Sequence, residues 1–164
     1  MGMRTKAVKP RSDVVDIWYN RLNWRDRLIW KVCTETGLRI SDILMLKGNE
    51  LGLSMMVTER KTQVTRRVEL SRKLFSQLML YTGSSEWVFQ SRDRRRKDLP
   101  VTRQAVWRAM MRATKGLNVR ISPHCGRKTF AQELYKATGS SETVRETLGH
   151  KYLSTTLIYL FDVT

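Results

Sequence analysis

A chain of 164 residues with 31 Lys and Arg against 15 Asp and Glu carries a formal charge of +16, far from the near-neutral surface of an ordinary soluble enzyme. Such a length supports one domain with a real core and excludes two of ordinary size, and such a charge points to a polyanionic partner. There is no apolar run of about 18 residues to span a membrane and no signal-peptide core after Met1, so a cytoplasmic protein with no membrane partner is expected.

Residues 1–11 are basic, contain Pro10 and show no apolar period, which predicts a mobile arm or linker ahead of one domain over 12–164. Ser12 is a good N-cap for a first helix carrying Val14, Val15, Ile17, Trp18 and Leu22. A second helix is predicted from about Trp24 to Thr36, with Leu28, Ile29, Val32 and Cys33 on its buried side and Gly37 ending it. Arg39 falls in the tight connection, and Ser41 is expected to cap a short helix over 43–46 that stops at Gly48. Over 51–70 β-branched residues replace the helical period on either side of a polar stretch at 59–63, which predicts a β-hairpin. Ser71 then caps a helix over 73–81, Trp87-Val88-Phe89 reads as a short apolar strand or buried turn, and 92–97 is a charge run ahead of Pro100. Thr102 starts a helix whose apolar period takes in Val106, Trp107, Met110 and Met111. Three more helices are predicted over about 124–138, 141–148 and 154–161, broken by Gly139 and Gly149. The fold class is α+β, mainly α: a helical domain with a small antiparallel sheet.

The stretch 122–159 concentrates the chemistry. His124 and Arg127 stand three apart, so on a helix they share one face and can grip one anion together. His150, just after Gly149 at a helix end, adds a third donor. Tyr159, nine residues on, supplies a phenol that becomes a nucleophile once its target is polarised. These residues read as a phosphate site with its own nucleophile. Taken singly, a histidine is more often a satisfied core group and a tyrosine on a terminal helix more often packing; Tyr135 and Tyr152, off the spacing, are assigned to that class. Cys33 and Cys125 lack paired spacing, and with only the two histidines to add they suggest neither a disulfide framework nor a metal site.

His-x-x-Arg, then Leu148-Gly149-His150, then a Tyr nine residues later resembles the catalytic signature of the tyrosine recombinases, the phage-integrase family. That family's other hallmarks are Gly-x-Arg near a helix end, here Gly37-Leu38-Arg39, and a Lys in a β-hairpin between the two blocks. Lys61 stands in that place, in Arg60-Lys61-Thr62-Gln63. The resemblance runs over about 24–161 and rests on six polar positions in the right order. It implies the family's helical catalytic fold, double-stranded DNA as partner, self-association into a tetramer on that DNA, a nucleoid-associated location, and no cofactor or metal. It also implies strand cleavage by attack of Tyr159 on phosphorus, which joins the 3′ end to the protein and frees a 5′-hydroxyl. Members usually carry a further N-terminal DNA-binding domain, for which this length leaves no room; a catalytic fragment and a minimal form both fit.

Residue by residue, the resemblance gives Arg39 and Arg127 as planar forks on the phosphate, His124 as the aid to proton transfer from Tyr159, and His150 as a phosphate hydrogen-bonding group. Lys61 is the candidate general acid for the 5′-oxygen, with Lys73 and Arg60 as competitors. Arg60, Arg66, Arg92, Arg94, Arg95, Arg96 and Lys97 are candidate DNA contacts, a solvated surface being the competing reading. Three positions depart from the family pattern: Gly126 where Leu is usual, Lys128 where His is common, and Asp42 where Glu is usual after the first Arg. A type IB topoisomerase or a telomere resolvase would use a similar constellation. A rival from another class is a non-catalytic DNA-binding protein with 141–161 as a helix-turn-helix and Thr155 or Thr156 facing bases, which leaves Arg39, His124 and Arg127 unexplained.

Overall fold

The computed structural model describes residues 13–161; the expected arm and the Ser12 cap fall on residues 1–12, outside that range, as do 162–164. In chain order the elements are α1 (Asp13–Arg21), α2 (Trp24–Thr36), α3 (Ile40–Ile43), a hairpin of β1 (Ser54–Thr58) and β2 (Thr65–Glu69), α4 (Arg72–Thr82), α5 (Arg103–Ala113), α6 (Pro123–Thr138), α7 (Ser141–Leu148) and α8 (Leu153–Phe161). Helix starts follow from capping chemistry. Asn23 Oδ1 accepts the Asp26 N–H, Ser71 Oγ that of Leu74 and Thr102 Oγ1 that of Ala105, each satisfying a donor that the first helical turn leaves open. Gly37 closes α2 at φ +63°, where a Cβ is disfavoured and would also run into the Phe130 ring.

Strands β1 and β2 pair antiparallel, with Met55 opposite Val68 and Val57 opposite Arg66. Met55, Val57 and Val68 face inward and join a core shared by α1, α2, α4 and α5. At its centre Trp18 is fully buried edge-on to Trp30, ring centroids 4.9 Å apart, and its Nε1–H donates to Met110 O at 3.1 Å. A smaller core of Ala131, Val144, Leu148 and Leu160 forms where α7 and α8 close on α6. Helix α6 is common to both, because its first turns pack on α2 and its later turns carry α7 and α8. Gly126 permits the close approach to α2: a Cβ there would lie 2.8 Å from Cys33 Cβ and 3.1 Å from the Trp30 ring.

Two stretches differ from the sequence expectation. The short helix begins at Ile40, with Arg39 rather than Ser41 at its N-cap, and Gly48 opens a 3₁₀ turn through Glu50 instead of ending a helix. The reason is tertiary pairing. Leu46 O accepts the Val88 N–H at 2.9 Å and Gly48 N–H donates to Glu86 O at 2.8 Å, so these groups are engaged across the fold rather than along a helix. On α5 the buried stripe is Val106, Met110 and Ala113, and Trp107 stands 54% exposed on its flank. Trp87 forms an isolated bridge with Lys47, and Val88 and Phe89 turn into the core. Among the described residues no helix is long and apolar enough to cross a membrane.

Candidate active site

The two short connections that end α2 and α7 bring the motif residues together. Both helices stop at a left-handed glycine, Gly37 and Gly149, and each glycine is followed within two residues by a motif side chain, Arg39 or His150. Arg127, on the first turns of α6, reaches between these two helix ends. Its guanidinium donates to Gly37 O and, at 2.6 Å, to Leu148 O, so one side chain that is 2% exposed ties the C-terminus of α2 to that of α7. Carbonyls there lack helical partners and lie at the negative end of the helix dipole, which favours a cation.

The sequence reading missed the group on which this cluster is centred. Glu59, 1% exposed just past β1, pairs with Arg39, with Arg66 at 3.2 Å and with Arg127 at 3.5 Å. Thr62 Oγ1 adds a hydrogen bond to it at 3.3 Å. Burial pushes the Glu59 carboxyl up, and Arg127, Arg39 and Arg66 together outweigh that and hold it below the usual carboxylate range. A signal was available: Met55 and Val57 alternate inward along β1, and the same period puts Glu59 on the buried face. Arg66, expected among the DNA contacts, instead turns inward, donating to Glu59 and at 2.9 Å to Thr36 O. Asp42 does not hold Arg39. It is buried and accepts the Arg60 N–H at 3.1 Å, which ties the hairpin turn to α3.

Tyr159 on α8 stands between the two histidines. Its Oη is 3.4 Å from His124 Nδ1, and its ring meets the His124 and His150 rings edge-on at centroid distances of 5.0 and 4.8 Å. Thr156, one turn earlier and fully buried, holds His150 Nδ1 at 3.0 Å. His150 Nε2 is then left 3.5 Å from Arg127 Nη2. The pKa of His150 is pushed down to about 4, first by burial and then by Arg127 and Arg39. His124, exposed at the cleft mouth, is also held below the ordinary histidine value, by lost hydration on its protein side first and then by Lys128, Arg127 and Arg39. Both imidazoles are therefore neutral in the unliganded site at neutral pH.

Arg39, Arg60, Lys61, His124 and Arg127 line one cleft of about 610 Å³, together with Arg103 of α5. Lys61 is exposed in the hairpin turn above it. Lys73 and Arg92 to Lys97 are not among the residues that line this cleft. Arg94, Arg95 and Arg96 form an exposed 3₁₀ turn capped by Asp93. Thr156, buried against His150, cannot face a DNA base, and Thr155 is half-buried. Among the described residues no three His, Cys, Asp or Glu gather as a metal-ligand group.

Arg39, His124 and Arg127 thus share one cleft, with Tyr159 beside His124 and His150 beside Arg127, on a helical fold with one hairpin. The chain belongs to the phage integrase family, whose family model matches residues 11–162. It is 34% identical over 142 residues to the tyrosine recombinase XerA of Thermococcus kodakarensis, covering 82% of this chain and 50% of that protein. It is 31% identical over 147 residues to the tyrosine recombinase XerC of Proteus mirabilis, covering 84% and 48%. In structure it resembles a XerA recombinase crystal structure (TM-score 0.75, 22% identity, covering 97% of this chain and 62% of that one). It likewise resembles a lambda integrase dimer bound to a COC′ core site (TM-score 0.74, 23% identity, covering 99% and 61%). The chain thus spans about half the length of the curated relatives it matches.

Proposed function

We propose that residues 13–161 are the catalytic domain of a site-specific DNA recombinase that cuts and rejoins strands by transesterification through Tyr159. The observation that carries this reading is the Tyr159 phenol 3.4 Å from His124 Nδ1, beside a cleft lined by Arg39 and Arg127. Phosphodiester exchange needs a nucleophile, charge on the non-bridging oxygens and an acid for the departing oxygen. Arg39 and Arg127 supply the charge, fixed in advance by Glu59, so no reorganisation is needed when a phosphate arrives. Lys61, exposed in the hairpin turn at the cleft, is the group that protonates the 5′-oxygen, and the 3′-phosphotyrosine ester keeps the bond energy for rejoining. Double-stranded DNA as the substrate, a tetramer on that DNA and a cytoplasmic, nucleoid-associated location belong to the same proposal; the similarity in fold to a lambda integrase tetramer bound to a Holliday junction supports the first two.

The test is a nicked substrate that releases a short 5′-hydroxyl strand on cleavage. A covalent protein–DNA adduct is expected in the presence of EDTA and absent in Tyr159→Phe. An adduct that persists in Tyr159→Phe, or one that requires magnesium, would overturn the proposal.

A further inference from the structure

Lys128 brings a further charge to the site. It lies on α6 one turn beyond His124 and is only 3% exposed, an unusual position for a lysine. Its Nζ is 5.8 Å from the centroid of the Tyr159 ring, the same ring whose Oη reaches His124. His124 and Lys128 are i,i+4 neighbours on one helix face, and both touch one side chain of α8. An ammonium over an aromatic face is attracted to the ring, and attracted more strongly as the phenol becomes a phenolate. The same charge disfavours a proton on the neighbouring imidazole.

We propose that Lys128 is a positioning residue for strand cleavage: it seats the Tyr159 ring beneath His124 and keeps His124 free to accept the phenol proton. The inference rests on the strand-cutting reading above. In that step the proton passes from Tyr159 Oη to His124 Nδ1, the Oη–P bond forms and the P–O5′ bond breaks. The departing oxygen takes a proton from the Lys61 ammonium, and rejoining reverses each transfer. After desolvation, Lys128 is the leading cause of the lowered His124 pKa, ahead of Arg127 and Arg39. Besides these, Tyr159 faces His124 from α8 and His150 from the turn before it. Arg60 and Lys61 of the hairpin turn and Arg103 of α5 line the same cleft as His124.

The experiment compares Lys128→Met, Lys128→Gln and Lys128→Arg with the unmutated chain in two measurements. One is the NMR titration of the His124 ring without DNA; the other is single-turnover adduct formation against pH on the nicked substrate. Both neutral variants are expected to titrate His124 at higher pH, to move the acidic limb of the cleavage profile upward with it, and to cleave about 10-fold more slowly at neutral pH, a size typical of groups that act through a first partner. Lys128→Arg, which keeps the charge, is expected to leave the titration near its original pH. An unmoved His124 titration in Lys128→Met and Lys128→Gln overturns the inference while leaving the strand-cutting reading intact, as does a titration that moves without the cleavage limb. Rescue of Lys128→Met by a 5′-bridging-sulfur substrate also overturns it, since that would make Lys128 the acid rather than a positioning group; failure of that rescue supports it. Absence of an adduct from the unmutated chain removes the strand-cutting reading and this inference together.

Discussion

Two sets of arginines in this molecule share a side chain and little else. Arg39, Arg66 and Arg127 converge on Glu59, and Arg127 and Arg66 also donate to carbonyls at the end of α2. Arg94, Arg95 and Arg96 stand in solvent on a 3₁₀ turn. In the first set each guanidinium is held by acceptors the fold has placed, so its geometry is fixed before any ligand arrives. In the second, water and salt screen the charge and the side chains remain free to move. A net charge of +16 counts both sets alike. Burial separates arginines that build a shaped anion site from arginines that add long-range attraction to a polyanion.

The largest effect that sharpens this contrast is expected from Arg127→Ala. It leaves Gly37 O, Leu148 O and part of the Glu59 carboxylate buried without their donor, a loss of about 4 kcal/mol. Denaturant unfolding should show that loss, and adduct formation should vanish; unchanged stability would return Arg127 to the class of ordinary phosphate contacts. Next is Glu59→Gln, which keeps the shape but leaves three guanidiniums without their shared counter-charge. A destabilisation of about 3 kcal/mol is expected. Cleavage should slow about 10²-fold, because a displaced Arg39 no longer meets the phosphate in register. Wild-type single-turnover rates in Glu59→Gln would show that Glu59 does not set the register of the arginines.

A smaller effect is expected from pH. His150 has its folded pKa lowered to about 4 from the ordinary histidine value of 6.5, so between these values the unfolded chain binds a proton that the native chain refuses. Stability from this group is complete above about pH 6.5 and is lost as pH falls toward 4. The depressed Glu59 carboxyl acts in the same direction lower down: its contribution is present above the unfolded carboxylate value and disappears as pH falls through the folded one. Melting temperature followed from pH 7 to pH 4 should therefore decline, and less steeply in His150→Gln; equal slopes would contradict a neutral buried His150.

The smallest structural effect belongs to the exposed set. Replacing Arg94, Arg95 and Arg96 together by Ala should change unfolding free energy by less than about 0.5 kcal/mol. The salt dependence of DNA affinity should flatten by about 0.9 in log–log slope for each phosphate no longer neutralised. An unchanged slope would mean the turn does not touch DNA.

The sequence by itself determined the parts that depend on neighbouring residues. Caps, glycines and apolar period placed α2 at Trp24–Thr36 and α7 at Ser141–Leu148, and β-branched runs marked the hairpin. Motif spacing placed Arg39, His124, Arg127, His150 and Tyr159 on segments that do meet at one site. Tertiary structure alone decided what those segments meet. Glu59 looks like a polar turn residue until Arg39 and Arg127, from distant segments, close around it. Arg66 looks like a surface charge until the strand turns it toward Thr36 O. Gly126 looks like an ordinary helix residue until α2 closes on it, where a Cβ would meet Cys33 and Trp30. Trp107 fits the apolar period of α5, yet the core closes over Val106 and Met110 and leaves it outside. Local preference is encoded in a few adjacent residues, whereas the partner of a buried charge and the filling of a core depend on which distant surfaces the whole chain presses together.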